Sequence, residues 1–195
     1  MAWAGIADAQ ILIGLHGALT GWLSPHETYP EAKRAALKAI ELEPQLAEAH
    51  SSLGLVSSFY DWDGYAAERE FQKAVLLKPQ YSKAHHWYAM MCCFLGRFEK
   101  ALASIETALR FEPFSMMVNA DRGYILYLAR RYAAAIDHLR TTLEMDHSFA
   151  ATHHRLGLAY AASGRHGEAI EHFLEAPRYS EESCQFADYS RMATR

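Results

Sequence analysis

Apolar positions in this chain recur with a long period. Ala67, Ala101, Ala135 and Ala169 fall 34 residues apart, and Phe71, Ile105, Leu139 and Phe173 follow four residues behind them at the same interval. An i, i+4 pair of this kind marks the buried face of one helix. A second series, Gly54, Ala89, Gly123 and Gly157, runs at spacings of 35, 34 and 34 and places small residues where a preceding helix must approach closely. Pro44, Pro79, Pro113 and His147 close successive units. Self-similarity at this period predicts an all-α solenoid of stacked antiparallel helix pairs with no strand, since no single unit can bury its own apolar face.

The phase divides the chain into about five repeats, near 1–46, 47–81, 82–115, 116–149 and 150–179, within a single solenoid over 1–179. The first is irregular. Extra sequence at 15–28, with two glycines, Trp22 and Pro25, reads as an inserted surface loop or a partner-contacting flap. Residues 1–20 are apolar but lack a basic leader and carry Asp8, Gln10 and His16, so they read as helix rather than signal peptide or membrane span. A helix that starts at the first residue makes the chain read as a piece of a longer polypeptide. In the second repeat Asp61-Trp62-Asp63-Gly64 imitates a calcium loop, but the twelfth position is Gln72 where a bidentate acid is needed. A turn with one extra residue, whose Asp caps the next helix, explains the same letters. Gly96, Arg130 and Gly164 share a helix-terminating position, which favours the left-handed backbone. Pro177 is expected to break the last helix, leaving 180–195 as a tail that either forms a short capping helix along Cys184, Phe186 and Tyr189 or frays.

Composition narrows the function classes. A formal charge of −4 with no basic stripe argues against nucleic acid. Three cysteines, two of them the adjacent Cys92 and Cys93, argue against a disulfide framework and for a reducing, cytoplasmic compartment. Eleven histidines raise the question of metal. His50, His85 and His153 share a repeat phase, which puts them on separate helices about 10 Å apart, too far for one ion. No His pair at i, i+4 and no HExxH occurs. Cys92 reads as packing and Cys93 as groove-facing. No phosphate loop, acid pair or nucleophile–base constellation is present, so neither catalysis nor a cofactor is expected.

His153-x-x-Leu156-Gly157-x-x-Tyr160, followed by Ala169, Phe173 and Ala176, resembles the tetratricopeptide repeat. The phase matches over nearly the whole chain while identities vary: His50, His85 and His153 stand for the usual aromatic, Arg122 for leucine and Cys92 for tyrosine. Tyr60-Asp61-Trp62-Asp63, Glu68-Arg69-Glu70-Phe71 and Ala84-His85-His86-Trp87-Tyr88-Ala89 are similar to repeat arrays attached to bacterial signalling proteins with adenylate-cyclase or winged-helix effectors. The resemblance implies a right-handed superhelix whose first helices line a concave groove. The implied groove positions are Ser51, Leu55 and Phe59 in the second repeat and His86, Met90, Cys93 and Phe94 in the third. Tyr124, Tyr127 and Leu128 follow in the fourth, and His154 and Leu158 in the fifth. Such a groove is apolar and aromatic, and lacks the Lys and Asn with which relatives grip a terminal carboxylate. The expected function is a protein-interaction scaffold for a partner peptide or helix, with no membrane and weak self-association through the solenoid ends. The alternative is a small-ligand sensor with its site in the groove or under 15–28.

Overall fold

The computed structural model describes residues 1–20 and 25–192, with side chains over 1–15 and 26–179. Ten helices and no strand occupy the described residues: α1 (Ala2–Thr20), α2 (Pro25–Leu42), α3 (Ala47–Phe59), α4 (Gly64–Leu77), α5 (Ser82–Phe94), α6 (Phe98–Phe111), α7 (Met116–Leu128), α8 (Tyr132–Met145), α9 (Ala150–Ala162) and α10 (His166–Met192). The fold is all-α and of the solenoid class. Contacts divide it into two compact units, Met1–Cys92 and Cys93–Arg195, with the division inside α5.

In the first unit α1 packs on α2 and α3, α2 on α3, and α3 on α4. The close approach of α3 and α4 follows from a small residue facing a large one: a side-chain Cβ built on Gly54 would stand 3.1 Å from the fully buried ring of Phe71. Asp63 caps α4, its carboxylate accepting from the backbone N–H of Tyr65 at 3.1 Å and of Ala66 at 3.0 Å. The preceding Trp62 takes φ +57°, which is how the extra turn residue is absorbed.

The second unit repeats the scheme, with α6 on α7, α7 on α8, α8 on α9 and α9 on α10. A Cβ on Gly123 would lie 2.4 Å from Leu139, and one on Gly157 2.7 Å from Phe173, so the two sequence series meet as hole and knob. Gly96 and Gly164 end helices at φ +71° and +80°; Arg130 does the same at φ +60° without glycine's freedom.

The residue that opens this packing also closes the connection before it. His50 Nε2 donates to the Pro44 carbonyl at 3.0 Å, His85 Nε2 to Pro79 at 2.8 Å, Asn119 Nδ2 to Pro113 at 2.9 Å and His153 Nε2 to His147 at 2.8 Å. Each bond spans six residues and ties the end of one repeat to the first helix of the next. The repeating histidines are therefore structural donors, with Asn119 in the same slot.

Two sequence expectations change. The segment 15–28 is mostly helix: α1 runs to Thr20 and α2 starts at Pro25, leaving 21–24, which lie outside the described residues. Proline stands at the first position of α2, where its missing N–H is one of the groups a helix leaves unpaired anyway. Pro177 does not break the last helix either. The backbone stays helical to Met192, with Pro177 on an exposed face. The side chains of Cys184, Phe186 and Tyr189 and residues 193–195 lie outside the described ones.

Candidate partner-binding surface

The twelve groove positions separate by burial. Ser51, Leu55, His86, Met90 and Cys93 are only 2–6% exposed and serve packing instead of an open surface. In the first unit the reason is α1. It brings Ile11 and Leu12 against Ser51 and Leu55, with Trp87 of α5, around a cavity of about 10 Å³. Asp8 of α1 fastens this arrangement, accepting from Ser52 Oγ at 2.5 Å and from Lys83 Nζ at 2.6 Å. Phe59 is half-buried edge-on to Trp87, their centroids 6.1 Å apart, and His86 stacks on the same indole at 5.0 Å.

The second unit keeps its positions open. Phe94 is 56% exposed at the end of α5 and His154 is exposed on α9. Tyr124, Tyr127, Leu128 and Leu158 are half-buried on α7 and α9, which pack on each other. The Tyr124 and Tyr127 rings stack at 5.9 Å and 22°, and the Arg155 guanidinium lies 5.6 Å from the Tyr124 centroid. Burial pushes the Tyr124 phenol up, so it stays a neutral hydrogen-bonding group. Beside this ladder, Ala150, Ala151, His154, Arg155, Phe173, Ala176 and Pro177 line an open depression of about 410 Å³.

Sequence reasoning missed the ion pair beneath the rings. Arg155 of α9 pairs with the buried Asp121 of α7, the two side chains 16% and 6% exposed. Its signal was an acid and a base 34 residues apart at one repeat phase. On α8, His138 Nε2 donates to the Asn119 carbonyl at 3.0 Å, and burial, helped by Arg122, pushes its pKa down to about 4. Among the described residues no group of three or more His, Cys, Asp or Glu side chains is arranged to hold a metal ion. No described helix is long and apolar enough to cross a membrane.

Two models of the tetratricopeptide repeat match the chain, one over residues 94–151 and one over 150–182. Together the two matches span residues 94–182. No curated protein matches the chain in sequence. Among solved structures, a crystal structure of MamA superposes with TM-score 0.65 at 19% identity, covering 89% of this chain and 97% of that one. MamA 41-end from Desulfovibrio magneticus RS-1 gives 0.66 at 18%, covering 91% and 96%. The Pseudomonas aeruginosa pilF structure gives 0.68 at 18%, covering 92% and 78%. Likeness at this identity is a likeness of fold.

Proposed function

We propose that the chain is a non-catalytic scaffold that grips an extended or helical segment of a partner protein on the exposed face of its second unit. The observation that carries this reading is the half-exposed ladder of Tyr124 and Tyr127 on α7 continued by His154 and Leu158 on α9, with Leu128 and Phe94 as further apolar positions. Aromatic side chains give large contact area at low entropic cost, and a contiguous apolar patch on a helical repeat is the usual footprint of a bound segment. By its narrower sequence resemblance the chain belongs, on this proposal, to a larger bacterial regulatory or signalling protein working in the cytoplasm. The exposed Trp3, Ile6, Leu12 and Ile13 on α1 supply a face for weak self-association. The second reading, a small-ligand sensor, rests on the open depression beside His154 and Arg155.

A substitution series tests the proposal. Tyr127→Glu combined with Leu158→Glu should abolish capture of a specific partner while moving Tm by no more than a few degrees, as changes on a half-exposed surface do. Met90→Glu, at a site 6% exposed, should instead collapse stability by burying an unpaired charge. Undiminished capture by the double variant, or a stabilising shift with a small metabolite and no protein partner, would remove the scaffold reading.

A further inference from the structure

We propose that the last repeat contains a proton-sensitive latch, in which the ring-to-ring hydrogen bond between His153 of α9 and His172 of α10 holds the two helices together while at most one ring is charged and forces them apart when both are. His153 Nδ1 and His172 Nδ1 are 3.0 Å apart. His153 Nε2 faces the His147 carbonyl at 2.8 Å; a carbonyl only accepts, so this nitrogen carries a proton. In the neutral ring Nδ1 is then an acceptor, and the proton between the helices comes from His172 Nδ1. One added proton, taken up at His172 Nε2, leaves that bond in place. A second places an N–H on both sides of the same gap, with His153 only 1% exposed and unable to turn its charge to water.

The surroundings offer little compensation. His147, from the connection between α8 and α9, lies 5.2 Å from the His153 ring and adds a third imidazole. Tyr179, 5.2 Å from His153, and Tyr160, stacked on His172 at 5.5 Å, bring no carboxylate, and Arg165 lies over Tyr160 at 4.4 Å. On α10 itself Glu171 and Glu175 favour a charged His172, but Glu175 also accepts from Arg178. Burial, then His153, outweighs them and holds His172 below the ordinary histidine range. A histidine with a depressed folded value binds protons more readily once α10 is released, so the stability of this contact is complete above pH about 6.5 and declines as pH falls below it.

The first unit contains the opposite arrangement. There His50 Nε2 donates to the Pro44 carbonyl at 3.0 Å, but its Nδ1 meets the Glu70 carboxylate at 2.7 Å, an acceptor that welcomes a charged ring. Acid therefore opens the latch of the last repeat and leaves its counterpart in the second repeat closed.

The test is hydrogen exchange of the α10 amides between residues 166 and 179 at pH 7.5 and 5.5, corrected for intrinsic rates. The intact chain should lose up to about tenfold in protection at pH 5.5, which lies one pH unit below the ordinary histidine value. His172→Glu, which recreates the His50–Glu70 contact, should remove that loss, while acid effects transmitted through His138 would persist in it. Unchanged α10 protection in the intact chain, or an equal loss in His172→Glu, would overturn the latch. Should the variant fail to fold, imidazole nitrogen NMR on the unaltered protein decides: the proposal requires His153 and His172 to titrate as a coupled pair in two separated steps, and independent titration of both near pH 6.5 would overturn it.

Discussion

Phe71→Ala should destabilise the first unit by about 3–5 kcal/mol, the range for removing a fully buried aromatic side chain from a core that collapses poorly. The site cannot collapse well because the neighbour that shapes it is a glycine. Gly54 has no side chain to relax into the space, and its Cα is already so close that an added Cβ would sit 3.1 Å from the ring. Tyr88, 6.0 Å away across the ring face, is held by its hydroxyl, which donates to Glu68 at 3.0 Å. The pairing also predicts the sign of coupling. Gly54→Ala alone should cost about 1–3 kcal/mol by overpacking, but little or nothing in the Phe71→Ala background, where its methyl enters the cavity. Urea unfolding of the four species followed by circular dichroism measures the coupling, and additive costs would show that the two side chains do not share the space.

Breaking the Asp121–Arg155 pair should be the other large effect. Asp121→Asn leaves a guanidinium that is mostly out of water without its counter-charge, and the expected cost is about 3 kcal/mol, at the low end for a buried pair because Arg155 keeps some exposure. Arg155 also lies over Tyr124, so the loss should disorder the aromatic ladder and weaken partner capture along with stability. Replacing both members, Asp121→Leu with Arg155→Met, should recover most of the stability, because the penalty comes from the orphaned charge more than from the absent attraction. A double variant as unstable as Asp121→Asn would mean that the pair contributes net energy of its own.

Much of the packing was legible because a repeat writes its contacts at fixed offsets. The glycine series and the Phe71, Ile105, Leu139, Phe173 series announce a hole and a knob before any coordinate is known, and Gly54, Gly123 and Gly157 meet their partners as the spacing implies. Asp63 as a cap and Gly96 and Gly164 as helix ends were legible for local reasons. Pro25 and Pro177 were not, since proline's effect depends on whether the bond it forfeits is needed, which is a matter of position within the helix and of exposure. Burial along the groove positions was not legible. Repeat phase tells which way Ser51 and Leu55 point but not what covers them, and what covers them is α1, whose mostly apolar sequence names no single buried face. The histidines show the same limit: their common phase was evident, while the carbonyl six residues back that each one holds belongs to the geometry of a turn.

The most direct test of the scaffold account is photocrosslinking from single positions of the intact chain in extract. A photoreactive residue at 127 or 158 should yield one discrete adduct with the same partner polypeptide, and that adduct should be lost when Arg155→Met accompanies Asp121→Asn. The same group at position 65, where Tyr65 is 85% exposed in the first unit, should yield none. Equal adducts from 65 and 127, or no adduct from 127 and 158, would contradict the assignment of the binding surface to the second unit.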